Sequence, residues 1–262
     1  MEEPVDMPSQ EQKVVVCKDI DALARKAATT FVETAGKSIR ERGVFTVALS
    51  GGGTPVRLYG QLAREEYIKR IDWRSVNFFW GDERAVGPDD PESNFLTARV
   101  NLLDIIKPPQ KNVHRIKGEL GEEAAEEYSE ELCRAFGLKE GKLPVFDLIL
   151  LGMGADGHTA SLFPGSTALK EDKKLVTAVY MEKLKTTRIT LTPAVINNAR
   201  KIVFLVSGRD KRETLKRALE GEFTPEELPA QITRNSRGEV LWLVDKEAAG
   251  MLKGGFSGGN FL

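Results

Sequence analysis

Cysteine and histidine are the scarce residues of this chain, which holds only Cys17, Cys133, His114 and His158 among its 262 residues. Two cysteines cannot build a disulfide framework or a thiolate zinc site, and their scarcity suits a reducing compartment. With two histidines and scattered carboxylates no metal-ligand spacing stands out, so no metal is expected. A charge excess of one sign is missing as well: 38 basic and 39 acidic residues leave a formal net charge of −1. Basic residues spread along the whole sequence give no electrostatic footprint for nucleic acid. No apolar stretch approaches the ~20 residues that cross a bilayer, and KVVVCKDIDALA lacks the apolar centre and cleavage site of a secretory leader. A cytoplasmic protein without nucleic-acid or membrane partners is expected.

What is present is the alternation of short apolar β-rich runs with amphipathic stretches, the pattern of a parallel α/β sheet. One domain over residues 1–262 is predicted, ending in a tail, GGFSGGNFL, that is flexible by composition from about 254 to 262. A helix over Ile20 to Arg42 stops at Gly43. VFTVALS is a strand, SGGGTP a loop, and Pro55 opens the next helix. SVNFFWGDE reads as one strand, Ser93 to Leu103 as a helix, and VHRI as a short strand containing a structural His114. The acidic stretch GELGEEAAEEYSEE gives a helix from Glu122 to Phe136 with a solvated carboxylate face. FDLILLG follows as a buried strand. Further strands are expected at Leu175 to Tyr180, Thr187 to Leu191, Lys201 to Ser207 and Val240 to Val244, with helices after Ser207 and Asp245.

The chemistry concentrates at strand ends. FDLILLGMGADGHTASLFPG runs an apolar strand into a glycine-rich turn carrying Asp156 and His158, and ligands of open α/β sheets bind at such carboxyl ends. Gly152, Gly154 and Gly157 spell the dinucleotide fingerprint, with Glu182 beyond a further strand. That match fails in context, because HTASLF is cut short by Pro164 and Gly165 where a long helix must begin. His158 is the group suited to proton transfer near neutral pH; Asp156 either orients it or caps the short helix. Ser161 lies in no nucleophile elbow. Ser50 to Pro55 follows a strand and opens a helix, so its amides and the positive helix end can hold a phosphate; the Walker ending is missing. WGDERAVGPDDPESN places Asp82, Glu83 and Arg84 at a second strand end, where Arg84 can close bidentately on a phosphate. SGRDK brings Arg209 and Lys211 to a third. Amides, a guanidinium and an ammonium at three strand ends describe a phosphorylated ligand.

Together, ALSGGGTP, FFWGDERAVGPDDPESN, FDLILLGMGADGHTASLFPG, RITLTPAVINNARKIVFLVSGRDK and PAQITR with VLWLVDKEAA resemble the 6-phosphogluconolactonase family in order and spacing. The resemblance implies a three-layer α/β fold, an open, mostly parallel sheet with helices on both faces, shared with glucosamine-6-phosphate deaminases and ribose-5-phosphate isomerases. It also implies hydrolysis of 6-phosphoglucono-δ-lactone without metal or cofactor. By the same resemblance His158 is the general base with Asp156 beside it, amides near Gly152 to Gly157 receive the oxyanion, and Gly51, Gly52, Thr54, Asp82, Arg84, Arg188 and Lys211 hold the substrate. Gly53 stands where the family commonly carries serine, which removes a hydroxyl but keeps the amides and Thr54. Deaminases continue DGH into Phe-Asn-Glu-Pro, whereas Ser161-Leu162-Phe163-Pro164 supplies no glutamate. A non-catalytic sugar-phosphate sensor is the other alternative, against which stands the absence of a DNA-binding module. The expected partner is a small phosphorylated sugar lactone, and the expected assembly a monomer or weak homo-oligomer.

Overall fold

The computed structural model describes residues 12–182 and 185–253, so the tail predicted over 254–262 lies outside the described residues. The apolar runs form strands β1 (Lys13–Cys17), β2 (Phe45–Leu49), β3 (Val76–Trp80), β4 (Asp82–Arg84), β5 (Leu148–Leu151), β6 (Val176–Met181), β7 (Thr186–Leu191), β8 (Lys201–Val206) and β9 (Glu239–Asp245). Six of these make a parallel sheet in the order β1-β9-β8-β5-β2-β3. All four residues of β5 are buried, as a strand covered on both faces requires.

The principal helices are α1 (Ile20–Arg42), α2 (Gly53–Leu62), α3 (Ala124–Phe136) and α4 (Arg212–Glu220), and helices flank the parallel sheet on both faces. α1 begins where the Asp19 carboxylate accepts the Ala22 amide at 2.8 Å and buries a stripe including Leu23, Ala27, Phe31 and Ala35. Phe31 meets Phe45 edge-on at 5.2 Å, while Phe204 stacks on Trp242 at 3.7 Å across the β8–β9 pair.

Several elements differ from the sequence-based expectation. KVVVC, for which no strand is predicted, is the edge strand β1, with Lys13 opposite Leu241 of β9. SVNFFWGDE divides at Gly81, whose N–H donates to Leu49 O and whose carbonyl accepts from Leu191 N, both at 2.9 Å. β3 stays in the parallel sheet, and β4 joins β7 and β6 in an antiparallel one. VHRI reduces to a single bridge, Phe78 to Val113. His114 is structural as expected: its ring stacks on Phe79 at 4.4 Å and Nδ1 lies 2.6 Å from Glu131 Oε1. The helix predicted from Ser93 is α-helical over Asn94–Ala98 and widens into a π-helix over Arg99–Leu103.

The strand order reverses between β2 and β5, since β3 lies beyond β2 on one side and β8 and β9 lie beyond β5 on the other. Loops leaving neighbouring strands in opposite directions open a crevice at their carboxyl ends, and this is where such sheets bind ligands.

Candidate active site

A cavity of about 290 Å³ opens at that switch point, over the ends of β2, β5 and β8. It brings together Gly51, Gly52, Thr54, Asp82, Arg84, His158 and Lys211. Asp156 and Arg188 do not line it; each stands behind a residue that does.

β2 ends at Leu49 and α2 starts at Gly53, with no side chain capping the helix start. The first-turn amides of this ten-residue helix therefore have no protein side-chain acceptor. Arg84 reaches the same space because the bend at Gly81 turns β4 across the sheet end, and its Nη1 donates to the Glu92 carbonyl. Arg188 is the register partner of Arg84 on β7. Burial, and then the neighbouring Arg84 cation, lower the Arg188 guanidinium from its ordinary value. Its Nε and Nη1 are buried without a hydrogen-bond partner, and neither arginine forms an ion pair among the described residues. Two adjacent cations, neither in an ion pair with a carboxylate among the described residues, favour an anion between or beside them. Lys211 adds an ammonium, held 3.0 Å from Asp210 Oδ2, whereas Arg209 pairs with Glu247 and does not line the cavity.

The base loop leaves β5. Gly154 N–H donates to His158 O at 2.9 Å, Gly157 N–H to Gly154 O at 3.0 Å, and Thr214 Oγ1 to Ala155 O at 2.6 Å, so the turn is pinned from within and from α4. These bonds engage the Gly154 and Gly157 amides, which removes both from the predicted oxyanion role. No helix follows the loop: HTASLF is a tight turn closed between Thr159 and Leu162. Asp156 thus has no helix to cap and orients the histidine instead. His158 Nδ1 lies 2.6 Å from Asp156 Oδ1, which also accepts the His158 amide at 3.1 Å. Burial opposes ionisation of Asp156, but the His158 amide and the charge and side-chain contact of its ring outweigh it and hold the carboxyl below its ordinary value. An ionised carboxylate only accepts, so the proton of neutral His158 sits on Nδ1 and the lone pair on Nε2. Nε2 makes no hydrogen bond among the described residues.

Asp82 lines the cavity, yet its carboxylate is held inward: Oδ2 accepts from Ser161 Oγ at 2.7 Å and Oδ1 from Asn94 Nδ2 at 3.3 Å. Glu83 turns away and accepts from the amides of Arg84, Asn94 and Phe95, closing the start of the helix at Asn94. Among the described residues no group of three His, Cys, Asp or Glu is placed to hold a metal ion.

Residues 18–242 match the family model described as glucosamine-6-phosphate isomerases/6-phosphogluconolactonase. The chain belongs to this family. It is 40% identical over 242 residues to a 6-phosphogluconolactonase of Synechocystis sp., covering 92% of this chain and 97% of the relative. A 6-phosphogluconolactonase of Haemophilus influenzae is 40% identical over 210 residues, covering 79% and 87% of the two chains. Among solved structures, a 6-phosphogluconolactonase from Trypanosoma brucei superposes with a TM-score of 0.83 at 32% identity, covering 93% of this chain and 99% of that one. A monomeric glucosamine-6-phosphate deaminase superposes at 0.78 with 24% identity, covering 92% and 100%, which shows the common fold.

Within this family fold, Asn94 is a buried residue of the cavity wall that no sequence motif singles out. It directly follows Ser93, whose Oγ accepts the Leu96 amide at the start of that helix. Only the folded contact between Asn94 and Gly51 marks the asparagine.

Proposed function

We infer that this chain hydrolyses 6-phosphoglucono-δ-lactone to 6-phosphogluconate, as a hydrolase of the oxidative pentose phosphate pathway. One observation carries the mechanism: His158, with Nδ1 tied to an ionised Asp156, lines with Nε2 unbonded the same cavity as the amide loop and Arg84. The lactone's phosphate is drawn to the amides of Gly51 and Gly52, Thr54, Arg84 and Lys211, with Arg188 adding positive charge from behind Arg84. The Asp82 carboxylate would repel a phosphate dianion, so its part is to hold the walls of the site.

His158 Nε2 takes a proton from water as the water oxygen bonds to the lactone carbonyl carbon. The carbonyl π pair moves onto its oxygen, which needs donors in the cavity wall. When that pair returns, the bond from carbon to the ring oxygen breaks, and the imidazolium returns its proton to the leaving alkoxide. The new carboxylic acid releases its proton to solvent to give 6-phosphogluconate, so atoms and charge balance with water as the sole co-reactant, and no step calls on a metal or cofactor. Anchoring at the distant phosphate turns binding energy into orientation at the carbonyl. We place the enzyme in the cytoplasm, acting as a single-domain monomer or weak homo-oligomer.

The test follows decay of freshly generated 6-phosphoglucono-δ-lactone in chelator, with and without protein, beside ammonia release from glucosamine 6-phosphate. Acceleration of lactone decay alone is expected. Ammonia release with lactone decay unchanged would overturn the reading in favour of a deaminase. Arg84→Ala is expected to raise KM by about 10- to 100-fold, the worth of a charged hydrogen bond, with a smaller change in kcat. An unaltered KM in steady-state kinetics would remove Arg84 from the phosphate site.

A further inference from the structure

The phosphate loop and the base loop are joined by a buried polar strut whose members take no proton and form no bond in the hydrolysis. Ser161, on the turn that carries His158, is 2% exposed, and its Oγ donates to Asp82 Oδ2 at 2.7 Å. Its amide is fixed too, donating to Thr190 Oγ1 at 3.3 Å. Asp82 in turn accepts Asn94 Nδ2 at its backbone carbonyl, 2.9 Å away, and at Oδ1. Asn94, 1% exposed, presses its amide oxygen on the phosphate loop: a Cβ on Gly51 would lie 1.7 Å from Oδ1. That oxygen has no hydrogen-bond partner. Leaving a buried carbonyl oxygen unpaired costs about 1–3 kcal/mol, which stability alone does not explain.

We propose that Ser161, Asp82 and Asn94 are positioning residues that couple occupancy of the phosphate loop to the placement of His158. The proposal rests on the lactonase reading of the cavity. An anion on the amides of Gly51 and Gly52 fixes Gly51 against Asn94. The constraint passes through Asp82 to Ser161 and reaches the backbone that carries the base. The remote phosphate then raises kcat as well as affinity.

The test separates the phosphate from the reacting ring. Glucono-δ-lactone, which has no phosphate, is hydrolysed by wild-type enzyme and by Ser161→Ala with and without inorganic phosphate, after subtraction of the enzyme-free rate. Saturating phosphate is expected to raise wild-type turnover about tenfold, within the usual range of coupling between sites. In Ser161→Ala it is expected to inhibit hydrolysis of the phosphorylated lactone as well as before, yet to activate glucono-δ-lactone turnover less than about twofold. On the phosphorylated lactone the variant is expected to lose kcat about tenfold at unchanged KM, with Ser161→Thr restoring it. Should Ser161→Ala fail to fold, Ser161→Cys keeps the volume with a weaker donor and carries the same expectations. Wild-type enzyme that hydrolyses the phosphorylated lactone but ignores added phosphate overturns the coupling alone, as does full activation of the serine variant. Wild-type enzyme that leaves the phosphorylated lactone at its spontaneous rate overturns the lactonase reading and the coupling with it.

Discussion

Replacing His158 by alanine is expected to lower kcat on 6-phosphoglucono-δ-lactone by about 10²- to 10⁴-fold, the usual worth of a general base, while KM changes little. The geometry sets both halves of that expectation. Nε2 is the lone pair offered to water, and the groups assigned to the phosphate sit on other loops. Because the lactone also hydrolyses spontaneously, the comparison is made on rates above the enzyme-free background; a variant as fast as wild type would remove His158 from catalysis. The pH profile gives a second check. Asp156 is held below the ordinary carboxylate value by its contacts with His158, so it stays ionised as the pH falls from neutral. The carboxylate then adds no proton to the acid limb of kcat/KM above the ordinary carboxylate range. A slope of two would mean that the carboxylate also titrates.

The second large effect comes from a substitution that removes no functional group. A Cβ on Gly154 would fall 2.1 Å from His158 Nδ1, 2.2 Å from Cε1 and 2.5 Å from Asp156 Oδ1. The imidazole and its carboxylate cannot both keep their places. Displacement by about 1 Å at the reacting groups costs on the order of 10²-fold, so Gly154→Ala should approach the His158→Ala rate with the phosphate affinity preserved. Gly60→Ala is the control, because nothing lies within 4 Å of a Cβ there and the residue is inside α2. Its activity should match wild type and its melting temperature should be equal or higher. Gly154→Ala with normal kcat would show that the His158–Asp156 contact is dispensable.

Most of the architecture was legible because it rests on short-range signals: apolar runs for strands, glycine and proline at their ends, and amphipathic spacing for helices. The departures arise where a distant partner decides. KVVVC carries the same β-branched signature as β8, but it lies beside polar sequence, and only β9 gives it a ladder to join. Gly81 sits inside an otherwise unbroken strand signal, and its bond to Leu191 splits that strand between two sheets. VHRI has the composition of a strand but lies beside Phe78 for one residue only. At the site, the loop motifs indicated His158, the amide loop, Arg84 and Lys211, since each sits at a strand end. For Asp82 and Arg188 the strand-end reading gives no orientation: the carboxylate faces Ser161 and Asn94, and the guanidinium stands behind Arg84 rather than on the cavity wall. The bond of Ser161 to Asp82 spans a separation in the chain that no local pattern encodes.

The pairing of β1 with β9 also has a consequence for how the molecule is made. Lys13 to Cys17 leave the ribosome early, yet the strand they join, Leu241 to Asp245, is among the last described residues to be synthesised. At roughly 5–20 residues per second the valines of this edge wait on the order of 10–50 s for a partner. Once Lys201–Val206 has been made, β8, too, has one side open until β9 follows, because β9 lies between it and β1. The sheet is therefore completed only when β9 is available to pair on one side with β1 and on the other with β8, both of which precede it in the chain.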